Sequence, residues 1–69
     1  MSGLSYTDSA EKACEKEKLK EWYEARELWL QANTKVSVGH PNRNWSWTRA
    51  MYCNIQLPHN NQIKIKNKI

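Results

Sequence analysis

The chain has 69 residues with eleven Lys and Arg, seven Asp and Glu, and a formal net charge of +4. A length of this order allows one small domain, whose core rarely supplies more than about 3–5 kcal/mol unless something staples it. The charge is segregated: residues 1–33 hold five bases and seven acids, whereas residues 34–69 hold six bases and no acid. A purely basic second half attracts polyanions or acidic proteins, more weakly as salt rises. It lacks the carboxylates that a catalytic pocket usually sets beside its basic groups.

Four Trp and three Tyr, with no Phe, form a heavy aromatic load. Each large ring can bury on the order of 150–250 Å², so several are expected in the core. Cys14 and Cys53 are far apart and form no CxxC pair; with His40 and His59 they match no zinc-site spacing. No metal, cofactor or catalytic residue is expected, and the thiols read as small buried groups, with a Cys14–Cys53 pairing left open. The N-terminus shows no basic stretch followed by an apolar run and no Gly at position two, so neither a secretory signal nor a myristoylation site is expected. No segment is long enough to span a membrane. The expectation is a soluble protein made in a reducing compartment.

Residues 1–8 read as a flexible lead. Asp8 followed by Glu11 fits a helix start. No Gly or Pro interrupts residues 9–31, and Ala, Glu, Lys and Leu dominate, which predicts one long helix. Leu19, Trp22, Tyr23, Trp29 and Leu30 share about a third of its circumference as candidate core. Arg26 projects from the middle of that stripe. Its stem is expected to pack on the rings while its head reaches water; the other reading is contact with an acidic partner.

After Asn33 the period changes. Residues 34–38 and 44–48 alternate polar and apolar, and Gly39-His40-Pro41-Asn42-Arg43 between them is rich in turn formers. The pattern predicts a β-hairpin, with Val36, Val38, Trp45 and Trp47 packed on the helix stripe. Thr48 can cap a short second helix that carries Met51 and Ile55 to the core, ending at Pro58. Met51, Cys53, Ile55 and Leu57 equally alternate as a third strand would, and helix or strand stays open there. The fold class is thus α+β, with a helix–hairpin–helix domain over residues 9–57 and a basic Ile/Lys tail over residues 58–69. That tail suits an edge strand guarded by lysines. Ile63, Ile65 and Ile69 are its candidates for strand addition to another protein.

The stretch 19–55 resembles the W-type head-completion, or head-to-tail joining, proteins of tailed bacteriophages and their prophage relatives. The resemblance lies in the helix Lys18-Leu19-Lys20-Glu21-Trp22-Tyr23-Glu24-Ala25-Arg26-Glu27-Leu28, the hairpin from Val36-Ser37-Val38-Gly39 to Asn44-Trp45-Ser46-Trp47, and the step Thr48-Arg49-Ala50-Met51. The chain departs from the pattern at His40-Pro41, where relatives tend to carry glycines, at Pro58, and in its many tryptophans. The resemblance implies an α+β structural protein of the virion, made in the host cytoplasm. It implies docking as a homo-oligomeric ring under the portal protein, retaining packaged DNA and presenting a surface to the next neck or tail protein. It implies no catalysis and no membrane.

Two other classes fit the residues. In a small nucleic-acid binder, Arg43, Arg49, Lys64, Lys66 and Lys68 meet phosphates and Trp45 or Trp47 stacks on bases; a shared strand face with Val36 and Val38 argues instead that both rings are core. In a small inhibitor or adaptor, an aromatic face with a basic rim anchors a host protein. An enzyme is disfavoured, because His40 and His59 lie in turns with no acid nearby in sequence. A core placement predicts that Trp45→Ala or Trp47→Ala costs roughly 3–5 kcal/mol. Removing residues 62–69 is expected to abolish assembly and spare the fold.

Overall fold

The Ala-, Glu- and Lys-rich run forms two helices rather than one. In the computed structural model, which describes residues 6–63, α1 spans Tyr6–Lys18, α2 Trp22–Asn33 and α3 Pro41–Ile55, with a 3₁₀ turn at His59–Asn61. The break falls at Lys20, whose φ is +60°. The Lys20 amide donates to the Glu17 carbonyl at 2.9 Å, and the Glu21 amide reaches back to the Lys16 carbonyl at 2.9 Å. This pair of bonds is the Schellman stop, which satisfies carbonyls that a helix end otherwise leaves open. Glycine is the usual occupant of its left-handed position, and a lysine there gives no sequence signal. Where apolar side chains often close such a motif, Lys16 Nζ instead bridges Glu21 at 3.3 Å and Glu24 at 2.8 Å. Those hydrogen bonds to Glu24 and Glu21 raise the Lys16 pKa, and the ammonium lowers that of Glu24.

The expected hairpin is absent: among the described residues there is no strand, and the α+β class gives way to an all-helical fold. Residues 34–40 form turns, and the second alternating run lies inside α3. His40 is the N-cap, its Nδ1 accepting from the Asn42 amide at 3.0 Å, and Pro41 holds the first helical position. Proline suits that place because its missing N–H has no intrahelical partner to lose. Helix three therefore starts seven residues before the Thr48 cap expected from sequence, and it ends at Ile55, short of Pro58. Helix rather than strand occupies residues 48–55. Helix one likewise begins at Tyr6, inside the expected lead, with Asp8 in its first turn.

α2 packs on both α1 and α3. The result is a slab of 37 × 32 × 17 Å, its thin dimension only about half again the width of one helix. Few side chains can be far from water in such a body. The buried apolar set is Ala13, Ala25, Trp29, Ala32, Ala50 and Cys53, ringed by the partly buried Tyr6, Ala10, Trp22, Leu28, Leu30 and Met51. Four alanines let the helices approach closely, and Trp29, 2% exposed, is the one large ring fully inside.

Of the expected core, Trp29 is buried and Trp22, Leu30 and Met51 pack at its edge, while Val36 is half-buried in the turn. The others are corrected. Leu19 is exposed because the helix stops there, and Tyr23 and Ile55 lie on outward sides of their helices. Val38, in the loop, is 83% exposed. Trp45 and Trp47 are 53% and 44% exposed. At about 100° per residue a helix turns these two rings to nearly opposite flanks, and Ser46 between them faces inward. Ser46 is fully buried, donates to the Asn42 carbonyl at 2.8 Å and accepts from Asn33 Nδ2 at 3.1 Å.

Candidate interaction surface

A carboxylate on α1 organises the side of the slab where the three helices meet. Glu17 accepts from the indole Nε1 of Trp29 on α2 at 2.6 Å and forms an ion pair with Arg49 on α3. The Cys53 thiol also donates to it, at 3.5 Å. The hydrogen bond from Arg49 to Glu17 raises the arginine pKa further above its usual value. Burial, reinforced by the neighbouring Glu17 charge, pushes the Cys53 thiol up to about 12. Both cysteines are free, Cys14 exposed and Cys53 buried.

Arg49, anchored in this way, lies 4.6 Å from the centre of the Tyr52 ring and 5.7 Å from that of Trp45. Tyr52 in turn meets Trp22 edge to face at 5.8 Å. Trp45, Thr48, Tyr52 and Ile55 fall within an arc of about 80° on α3, opposite the side that carries its buried residues, and all four are exposed. The outer face of α3 is therefore a pre-ordered aromatic and aliphatic stripe with a neutralised arginine at its flank.

A second polar centre holds the chain after α3. Arg26 is 4% exposed. Its Nη1 donates to Asn54 Oδ1 at 2.8 Å and to the Asn61 carbonyl at 2.9 Å, Nη2 pairs with Glu27 at 3.1 Å, and the guanidinium lies 5.0 Å from the Tyr23 ring centre. The Arg26 head does not reach water, as the expected snorkelling requires, but is consumed inside the fold. Asn54 also pairs with the main chain of Ile63, accepting from its N–H at 2.8 Å and donating to its carbonyl at 3.3 Å. The backbone of Ile63 is thus already paired, against its expected use in strand addition. Ile65 and Ile69, with Lys64, Lys66 and Lys68, lie outside the described residues.

Arg43, the other phosphate-facing candidate, donates from Nη1 to the Val36 carbonyl at 2.9 Å, tying the 34–40 turn to α3. It lines an open cleft of about 640 Å³ between the end of α2 and the start of α3, with Asn33, Gly39, His40, Pro41, Asn44 and Trp47. Sequence reasoning grouped Trp45 with Trp47 and Arg43 with Arg49; the structure places one of each pair on either flank of α3. It also missed Glu17, Asn54, Asn33 and Ser46, polar residues whose partners lie on other helices and leave no local signature.

Among the described residues no three His, Cys, Asp or Glu side chains come within reach of one ion, and no helix is long and apolar enough to cross a membrane. Comparisons with family models, with curated proteins and with solved structures find no match to this chain.

Proposed function

We propose that this chain is a non-catalytic assembly protein that acts by packing the outer face of α3 against protein neighbours. The observation that carries the reading is the inversion of burial. Alanines fill the interior, while Trp45, Tyr52 and Ile55 stand outside on one face. Half-exposed aromatics held rigid by their surroundings are favourable anchors, since little side-chain freedom remains to be lost on binding. A marginal domain also gains stability when a partner binds only its folded form.

Joining of a phage head to its tail is the specific form of this role that the resemblance implies. Its Thr48-Arg49-Ala50-Met51 step lies on a helix, but neither its hairpin nor its unbroken helix over residues 18–28 is formed. The joining role therefore rests on sequence likeness, and the broader assembly role on the surface. Duplex binding as the main activity is less well supported, because Arg49 is spent on Glu17 and Arg43 is partly engaged by Val36.

Sedimentation velocity tests the reading, with the chain alone and with a short duplex DNA at low and high salt. The expected outcome is sedimentation that the duplex leaves unchanged at physiological salt. Tight co-sedimentation that weakens steeply with salt, as counterion release requires, would overturn the proposal.

A further inference from the structure

The cleft between α2 and α3 lies on the flank of α3 away from the Trp45–Tyr52 stripe, and the assembly reading does not use it. Its volume of about 640 Å³ falls inside the rough 300–1,000 Å³ range of small-molecule sites. Three features of its lining define a ligand. Trp47 presents a half-exposed ring whose indole nitrogen has no partner among the described residues. Arg43 is steadied by the bond from Nη1 to Val36, which leaves the rest of its guanidinium fork free of partners among the described residues. Asn33 gives its Nδ2 to the Arg43 carbonyl at 2.6 Å and to Ser46 Oγ at 3.1 Å, which fixes the amide plane and leaves Oδ1 as an acceptor. Asn44 adds a second, exposed amide.

No carboxylate belongs to this set, and none occurs in the sequence after Glu27. The amides that open α3 are already used: the Asn42 N–H by His40 Nδ1 and the Arg43 N–H by the His40 carbonyl at 2.9 Å. The cleft's positive charge is therefore that of the Arg43 side chain. An aromatic plate, a guanidinium suited to phosphate oxygens and two amides able to read a base edge occur together.

The geometry points to a nucleotide site in this cleft, with the base stacked on Trp47, the phosphate on Arg43, and Asn33 and Asn44 at the base edge. The nucleotide is either free or one unit of a single strand; a duplex is excluded as a ligand because its bases are already stacked on one another.

The test is a titration of the isotopically labelled full chain, followed by amide and indole NMR signals. The probes are adenosine monophosphate, a short oligoadenylate, adenosine and inorganic phosphate. Both nucleotide probes should shift the signals of Asn33, Gly39, Asn44 and the Trp47 indole. Trp47→Ala should weaken binding roughly tenfold or more, as should Arg43→Gln, with helix content by circular dichroism unchanged. Because Arg43→Gln also loosens the 34–40 turn, the Trp47 variant, which touches only the stacking plate, decides the matter. Equal affinity for monophosphate and oligonucleotide assigns a free nucleotide, and much tighter binding of the oligonucleotide assigns a single strand; either supports the site. The proposal fails if neither nucleotide shifts these signals, if inorganic phosphate or adenosine alone reproduces the full effect, or if Trp47→Ala binds as well as the parent. None of these outcomes bears on the α3 outer face, so the assembly reading stands or falls separately.

Discussion

Replacing Lys20 by glycine should stabilise the protein, and the sign of the effect decides how the first half of the chain is built. Lys20 sits at φ +60°, between the last turn of α1 and the start of α2. An L-residue in that region costs roughly 1–2 kcal/mol, from Cβ against the following carbonyl. Glycine removes this cost but gives back part of it through the larger freedom of the unfolded chain, about 0.4–1 kcal/mol. Lys20 is exposed and makes no side-chain bond among the described residues, so little else changes. The net expectation is a gain of about 0.5–1 kcal/mol, which for a domain of this size raises Tm by roughly 2–8 °C. Thermal unfolding of Lys20→Gly and parent, followed at 222 nm, measures it. Were residues 9–31 one unbroken helix, as the absence of Gly and Pro predicts, the same change would cost about 1 kcal/mol and Tm would fall. A fall in Tm refutes the two-helix arrangement.

Glu17→Ala should cost about 2–4 kcal/mol in chemical denaturation, because it strands the buried Trp29 N–H and unpairs Arg49; a loss under about 1 kcal/mol would mean that Glu17 does not tie the helices together. Trp45→Ala and Trp47→Ala should each cost little, near 1 kcal/mol, since both rings are half in water; a loss of roughly 3–5 kcal/mol would restore the core placement that the alternating pattern predicts. A thiol reagent at pH 8 should label Cys14 alone in the native chain and both cysteines in denaturant, as Cys53 is buried with its pKa raised to about 12. The raised pKa means that the unfolded thiol ionises first. The contribution of Cys53 is therefore fully present below the unfolded pKa near 8.5 and is lost as pH rises toward 12. In Cys53→Ala that part of the alkaline decline should be missing.

What could be read from the sequence was whatever followed from one element's own periodicity. The helical stripe assigned Leu19, Trp22, Tyr23, Trp29 and Leu30 to the core; of these Trp29 is buried, Trp22 and Leu30 lie at the core's edge, and Leu19 and Tyr23 are exposed. The break at Lys20 left no trace, because its signal is a backbone angle that lysine tolerates and glycine advertises. The hairpin failed for a related reason. Val36-Ser37-Val38 and Trp45-Ser46-Trp47 alternate as strands do, but the buried member of the second run is the serine, which satisfies its hydroxyl on the Asn42 carbonyl one turn back. His40-Pro41 reads as a turn when it stands between two strands and as a cap with proline at the first helical position when a helix follows. Only tertiary packing chose between them. Removal of residues 62–69 also looks different in the structure, since Asn54 holds both main-chain groups of Ile63 and the truncation would leave that buried amide half satisfied.

The polar residues that sequence reasoning passed over explain why this chain can afford to leave its large rings outside. Alanines give close approach but little directional information, and a slab 17 Å thick buries too little apolar area to fix three helices by packing alone. Geometry comes instead from hydrogen bonds that are wholly or partly buried and run between helices. Glu17 joins α1 to both other helices through Trp29 and Arg49, Asn33 joins α2 to the start of α3 through Ser46 and the Arg43 carbonyl, and Arg26 joins α2 to the end of α3 through Asn54. Such contacts cost more when broken than they contribute when made, so they specify one arrangement without adding much stability. With the helix arrangement set by polar links, Trp45, Trp47 and Tyr52 need not serve the core. In the assembly role proposed above, a partner would complete their burial and stabilise the folded form that it binds.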